Sequence, residues 1–311
     1  MTIVVAGSTG LVGSAIMREL NRRGESVIGI NQKVVDLLDR KSTFEFINAA
    51  KPDLVIDAAA IVGGIGANNN FPVDFLSKNL QIQNNLMDAS HAADVERFVF
   101  LGSSCIYPRD CQQPIKEEYL LTGPLEKTNS AYAVAKIAGI ELIKSYRKQF
   151  NRRWISLMPT NMYGPFDNFD LETSHVLPAF INRFVSAAKN SVQSVTVWGS
   201  GKPRREFLHS DDLAKATIIA AEKYDAPEHL NVGTGADVTI SELADTVASK
   251  AGFTGEIKWD SSKPDGTMRK VLDVTNINKT GWHPEISLQE GIASTIEWFK
   301  EHEKTFVKRE R

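Results

Sequence analysis

Long apolar runs are missing from this 311-residue chain, and no stretch approaches the roughly 20 residues that a membrane-spanning helix requires. Cysteine is scarce: Cys105 and Cys111 are the only two. That excludes a disulfide framework and supplies too few ligands for a zinc site, so no metal is expected. Neither charge sign dominates, since 36 Lys and Arg against 38 Asp and Glu leave a net charge of -2. No global field then draws the chain to nucleic acid or acidic membranes, although a local basic pocket stays open. Met1 leads straight into Ile3-Val4-Val5-Ala6, so no signal or transit peptide is expected and a reducing, cytoplasmic compartment fits. Repeats, low-complexity tracts and linkers between autonomous domains are absent as well.

What is present alternates between short apolar runs and amphipathic stretches, the pattern of an α/β fold. Thr2–Ala6 reads as a buried parallel strand and Leu11–Arg23 as the helix after it. Between them lies Gly7-Ser8-Thr9-Gly10-Leu11-Val12-Gly13. Glycines at this spacing let the backbone turn tightly and approach a pyrophosphate resting on the helix N-terminus. A glycine-rich structural turn is the alternative. The second strand, Ser26–Ile30, ends in Asn31-Gln32-Lys33. An acid at this tip favours NAD and a cation favours NADP; Lys33 leans the reading to NADP. Asp36 and Asp39 line the adenine or cap the next helix. Asp53–Ala60 is a third strand ending in small residues, and Val62–Asn70 reads as a polar loop, either a wall of a ligand cleft or plain surface. The amphipathic stretch Val73–Ala92 leads into a fourth strand, Arg97–Leu101.

That fourth strand empties into Gly102-Ser103-Ser104-Cys105-Ile106-Tyr107-Pro108. Strand C-terminal ends are where ligands collect in an open parallel sheet, and hydroxyls beside a thiol suit an active-site floor. For Cys105 a buried structural thiol is an equal alternative on spacing alone. Arg109–Thr128 is a surface excursion, and Ser130–Lys148 a helix carrying Tyr132-Ala133-Val134-Ala135-Lys136. Tyr132 and Lys136 share one helix face, and an ammonium beside a phenol is expected to lower the phenol's pKa for proton transfer; a surface pair is the alternative.

Trp154–Pro159 is the next strand, running into Thr160-Asn161-Met162-Tyr163-Gly164. His175 opens a helix through Ala188 and is, taken alone, as consistent with a solvated residue as with a site. Val195–Phe207 gathers Trp198, Lys202, Arg204 and Arg205, a cluster suited to a diphosphate or a solvated charge run. Asp211 and Asp212 are expected to cap the helix ending near Tyr224. Short strands at Leu230–Val232 and Ile257–Trp259, a helix over Ile240–Ala251 and a final helix from Ser287 complete the chain, with the charged turn Lys263–Lys270 between. The expected fold is a Rossmann-type doubly wound parallel sheet with a smaller C-terminal α/β substrate lobe. Residues 1–164 form the dinucleotide unit, with 204–224 returning to it; 165–203 and 225–311 form the substrate lobe.

The glycine loop, the strand-end serine and Tyr-x-x-x-Lys together resemble the extended short-chain dehydrogenase/reductase superfamily. Within it the chain is similar, almost end to end, to the GDP-L-fucose synthase family. Val62–Ile65 with Ala67-Asn68-Asn69, Leu101–Pro108, Met158–Pro165, Asp167–Phe169, Ser174–Val176, Val197–Gly201, Arg205–His209 and Ser262–Thr267 carry the likeness. The resemblance implies a homodimer that acts on GDP-4-keto-6-deoxy-D-mannose with NADPH to give GDP-L-fucose, through the helices Val73–Ala92 and Ser130–Lys148. It implies a reductive triad of Ser103, Tyr132 and Lys136, and an epimerising acid/base pair of Cys105 and His175. Arg183, Trp198, Arg205, Asp265 and Lys270 fall where the family holds GDP and sugar. The residues Gly7–Gly13, Ser103, Lys136, Pro159–Met162 and His175 fall where it holds NADP. One departure stands out: Thr9 and Gln32 occupy places where family members carry arginines aimed at the 2′-phosphate. Lys33 is left to compensate, and NADPH against NADH stays open.

The implied chemistry suits these groups. A C4 ketone acidifies the C3 and C5 protons. Ser103 and Tyr132 can stabilise charge on the C4 oxygen, and a thiolate and an imidazole can remove and return protons, with Cys105 expected as base and His175 as acid. The rivals are a nucleotide-sugar 4-epimerase, a 4,6-dehydratase, a plain 4-reductase, and a non-catalytic NADP(H)-sensing module.

Overall fold

The computed structural model describes residues 1–262 and 265–306, so Lys263 and Pro264 of the charged turn lie outside the described residues. The first half runs β1 (Thr2–Ala6), α1 (Leu11–Arg22), β2 (Ser26–Ile30), α2 (Arg40–Ala50), β3 (Leu54–Asp57), α3 (Ile65–Asn70), α4 (Asn79–Ala92), β4 (Arg97–Leu101), α5 (Ser130–Phe150), β5 (Ile155–Pro159) and β6 (Asn161–Tyr163). Then follow α6 (Val176–Lys189), β7 (Ser194–Trp198), β8 (Arg204–Arg205), β9 (Phe207–His209), α7 (Ser210–Lys223), β10 (Leu230–Val232), β11 (Val238–Thr239), α8 (Ile240–Ala251), β12 (Glu256–Asp260), β13 (Arg269–Lys270), α9 (Thr275–Asn278) and α10 (Leu288–Phe306).

Six strands make one sheet in the order β10-β5-β4-β3-β1-β2, every pairing parallel. Apolar residues fill both faces because helices cover both. Val4, Ala6, Val55, Phe98 and Phe100 pack under Ile47 of α2, Leu86 of α4 and Ile140 of α5. Ile3, Val5, Leu54, Ile56, Val99 and Leu101 pack under Ile16 of α1 and Leu213 of α7. This is the doubly wound sheet expected from the sequence. Leu230–Val232, inside the stretch assigned to the second lobe, supplies its outermost strand. A separate core joins α6, α8 and α10 to β7 through Phe180, Phe184, Val197, Leu243, Val247, Ile292 and Phe299.

Local chemistry sets the boundaries. Asp39 caps α2, accepting from the Lys41 and Ser42 amides, and Thr239 with Glu242 forms a reciprocal capping box on α8. Asp36 accepts from the Leu38 amide, so both acids serve the backbone. Three expectations need correction. Val62–Asn70 is not all loop: Ile65–Asn70 is a short helix, with the Asn68 amide donating to the Gly63 and Gly64 carbonyls. Asp74–Lys78 forms a wider π turn ahead of α4. The N-cap of α7 is His209, whose ring accepts from the Asp211 amide, because the helix starts earlier than the two acids imply. Asp211 instead meets Arg18 at 2.5 Å, and buried Asp212 accepts from the Glu285 and Ile286 amides, both favourably placed in a first turn.

One buried side chain holds the second half against the sheet. The Glu206 carboxylate accepts from the Gly235 amide at 2.7 Å and the Leu272 amide at 2.9 Å, while its own carbonyl accepts from Asn161 at 2.8 Å. The flanking residues Arg205 and Lys270 are thereby fixed in register. Glu206→Gln turns an amide NH2 toward a backbone donor, and we expect a loss of about 2–4 kcal/mol in urea unfolding; an unchanged midpoint would show that this carboxylate does not hold the lobes.

Candidate active site

The cleft opens along the C-terminal ends of β1, β3, β4 and β5. At β1, Gly7 has φ +74, and a Cβ there would come within 2.6 Å of the Ala58 carbonyl oxygen. A Cβ on Gly13 would lie 2.1 Å from the Gly7 oxygen, so turn and helix meet at a distance only glycine permits. Ser8 ties the loop to β2, its amide and hydroxyl both donating to the Ile30 carbonyl. Gly10 is the N-cap of α1 without a side-chain cap, and no acid sits in the first turn. Leu11 and Val12 start the helix behind Thr9, which is exposed. This cradle fits a pyrophosphate: the first amides of α1 face outward and nothing negative competes. At β2, Gln32 and Lys33 are exposed, while Arg40 is turned away onto Asp88 and the Phe44 ring. Lys33 is therefore the cation at that tip among the described residues.

Beyond β4, Ser103 caps a single 3-10 turn by accepting from the Cys105 amide at 3.2 Å. Facing it from α5, Tyr132 lies near Ser103, whose hydroxyl pulls downward on the phenol. Lys136 is 2% exposed and donates to the Leu101 carbonyl at 2.9 Å, its ammonium 5.9 Å from the Tyr132 ring centre. Helical spacing thus brings the pair together, but the expected lowering of the phenol does not occur. Burial, reinforced by the neighbouring Cys105, pushes Tyr132 well above its usual value. Burial likewise lowers Lys136 to about 8, against an upward pull from Asp57. Tyr132 is therefore held as a neutral donor, the form a proton-giving step needs.

Lys270 of β13 reaches across from the second lobe and places its ammonium 3.6 Å from the Cys105 sulfur. His175, at the N-cap of α6, is exposed to the cleft but ringed by protein; burial and then Lys270 lower its imidazole. Arg205, whose guanidinium burial lowers and Cys105 raises, completes this rim. Ser103, Cys105, Tyr132, Lys136, His175, Arg205 and Lys270 hence border one cleft. Pro159 ends β5, the buried Thr160 donates to the Val232 carbonyl, and Asn161 and Met162 run beside β9, closing its floor.

The other expected substrate residues sit one step further out. Arg183 donates to the Thr196 carbonyl at 2.7 Å, and Trp198 ends β7, 69% exposed. Asp265 spends both carboxylate oxygens on Ser200, at 2.6 and 2.7 Å, so in this structure it shapes the loop between β7 and β8. Sequence reading missed Asp57, wholly buried at the end of β3; an acid closing an otherwise apolar strand was the available signal. It missed Glu206 too, since its partners lie far away along the chain.

A model of the NAD dependent epimerase/dehydratase family matches residues 3–233. GDP-L-fucose synthase of Escherichia coli (strain K12) is 48% identical over 314 residues, covering 98% of each chain. A solved GDP-L-fucose synthetase from Naegleria fowleri bound to NADP superposes with TM-score 0.91 at 31% identity, over 98% of this chain and 94% of that one. A GDP-6-OMe-4-keto-L-xylo-heptose reductase from C. jejuni superposes with TM-score 0.91 at 33% identity, over 97% and 98%. The glycine cradle makes its own prediction: Gly13→Ala should weaken NADPH binding about tenfold or more, read by fluorescence titration. An unchanged dissociation constant would remove the close approach of loop and helix from the account.

Proposed function

The chain belongs to the NAD dependent epimerase/dehydratase family, and from that premise we propose that it converts GDP-4-keto-6-deoxy-D-mannose to GDP-L-fucose, inverting C3 and C5 and reducing C4 with NADPH. The relatives named for this activity span nearly the whole chain. The observation that carries the reading is the placing of Cys105, with Lys270 at 3.6 Å, beside the Ser103–Tyr132 pair. A plain reductase needs the pair and not the thiol.

The residues divide the work as follows. Ser103 and Tyr132 hydrogen-bond the C4 oxygen and take up the charge that grows there when a neighbouring C–H is broken. Cys105 removes the proton, the electron pair passing into the enolate, and His175 returns a proton to the opposite face. Once the thiol has passed its proton to solvent and the imidazole has regained one from it, the same sequence at the other carbon completes the second inversion. NADPH, when bound, supplies a hydride to C4. Tyr132 then gives its proton to the C4 oxygen, leaving a phenolate beside the Lys136 ammonium. The glycine cradle, Lys33, Lys136 and Pro159–Met162 hold the cofactor, while Arg183, Trp198, Arg205, Asp265 and Lys270 hold the GDP and sugar. We place the cofactor unit at residues 1–164 with 204–224 and the strand Leu230–Val232, the substrate lobe at 165–203 and the remainder of 225–311, and the enzyme in the cytoplasm.

We also propose a homodimer through α4 and α5, where Val134 and Phe150 on α5 and Phe71 and Val73 ahead of α4 remain exposed. Sedimentation showing only monomer at micromolar concentration would remove this part.

A plain 4-reductase is the second reading, favoured by the full-length likeness to the C. jejuni reductase. Turnover in heavy water separates them. Product carrying deuterium at C3 and C5 is expected, and an unlabelled D-sugar would leave only reduction. Cys105→Ser should slow that exchange more than hydride transfer, whereas Tyr132→Phe should abolish reduction while exchange survives. The pH dependence has a definite sign. Because His175 is lowered from its usual value, its protonated form is scarcer but a stronger acid. Exchange needs the Cys105 thiolate as well as the protonated imidazole, so below the range of the lowered His175, where the imidazole is already protonated, it should fall as the pH falls. A rate that keeps rising as the pH falls there would remove the thiolate as the base.

A further inference from the structure

Asp57 is the last residue of β3 and has no exposed surface. In the parallel register it stands beside Ala6 of β1 and Phe100 of β4, so its side chain shares their face of the sheet. That face is the one α5 covers. The Lys136 ammonium lies 4.7 Å from the centre of the Phe100 ring and uses one of its three N–H groups on the Leu101 carbonyl. One Asp57 oxygen accepts from the Ala59 amide at 3.1 Å, while the other, fully buried, has no hydrogen-bond partner. A carboxylate left in this state is costly unless a positive charge lies nearby, and the same holds for the lysine.

We propose that Asp57 is the counter-charge that keeps Lys136 an ammonium, and is thus a positioning residue for the reduction step. The other groups around Lys136 cannot take this part. Tyr132, on the same helix, is a neutral phenol; Cys105 belongs to the turn after β4; β4 itself offers the uncharged Phe100; α4 offers the Gln83 amide, which carries no charge and whose NH2 donates to the Ala135 carbonyl. The titration directions agree with the geometry. Burial raises Asp57 to about 6 with Lys136 pulling it back down, and burial lowers Lys136 to about 8 with Asp57 holding it up. When Tyr132 gives up its proton, the phenolate that remains is stabilised by an ammonium and not by a neutral amine. Asp57 therefore governs how far into alkaline pH the reduction persists, and it bears much less on proton exchange at C3 and C5.

This inference rests on the proposed reduction, so its test includes a reading that needs no substrate. Removing the carboxylate charge must lower Lys136 further. In Asp57→Asn the alkaline limb of NADPH oxidation should move to lower pH by about one unit, with solvent exchange little altered, and Asp57→Glu should restore the limb toward its original position. A superimposable limb in Asp57→Asn would overturn the proposal. Independently, the Lys136 ε-methylene NMR signal of the whole protein, identified by its loss in Lys136→Arg, is followed with pH. In the unsubstituted protein it should report Asp57 as an inflection near the carboxyl's value of about 6, besides its own titration. Absence of that inflection would also overturn the proposal, even if Asp57→Asn does not fold. Failure of the enzyme to oxidise NADPH with this substrate would instead count against the function and leave the titration standing.

Discussion

An ammonium 2% exposed to solvent must have its charge answered inside the protein, and meeting that requirement organises the cleft. Lys136 finds a carbonyl at the end of β4, an aromatic face on the same strand and a carboxylate on the next strand over. Each partner belongs to the sheet, so satisfying the lysine docks α5 in one rotation and one register. Tyr132, one turn earlier on that helix, is then delivered to Ser103 without freedom to choose. The all-parallel order makes this possible, because it brings the ends of β3 and β4 side by side under the same helix.

The second lobe is joined to this arrangement by apolar and polar contacts together. Its own core closes around α6, α8, α10 and β7, while Leu272 packs into the core on one face of the sheet and Ile277 and Trp282 into the core on the other. Glu206 adds a fixed register. By gathering the Gly235 and Leu272 amides while its backbone binds Asn161, it fixes β8 and β13 relative to the floor of the cleft. Arg205 and Lys270 flank those anchor points, and this explains how an ammonium from the far lobe meets a sulfur held on the sheet.

Legibility in the sequence followed the range of the interaction. The six sheet strands, the glycine turn and Tyr-x-x-x-Lys were readable because each is a pattern of near neighbours: a short apolar run, a turn that only glycine permits, and helical spacing. Helix α3 was missed because its six residues show too little periodicity, and the α7 cap because a histidine took the place of the acids that follow it. The direction of the Tyr132 titration was misjudged for a different reason. Spacing reveals that a lysine lies close, but not that both groups are dry, and desolvation outweighs the neighbour's charge. Asp57 left one sequence signal, an acid closing an apolar strand, and Glu206 none, because the meaning of both depends on partners in other elements.

The two cysteines show how environment, not residue type, separates chemistry from structure. Six positions apart, they lie on either side of Pro108. Cys111 sits in the excursion after the strand, where burial raises its thiol against smaller downward pulls from the backbone and Lys270, and the Gln113 amide lies 4.0 Å from its sulfur. Cys105 lies at the strand end, its amide fixed by Ser103 and its sulfur facing an ammonium, with an imidazole lowered by burial and then by that same ammonium across the cleft. A single lysine thus faces the sulfur of one member of the proposed acid/base pair and disfavours positive charge on the other. Both influences come from the second lobe, so the pair takes part of its electrostatics from a residue that the sheet alone does not supply.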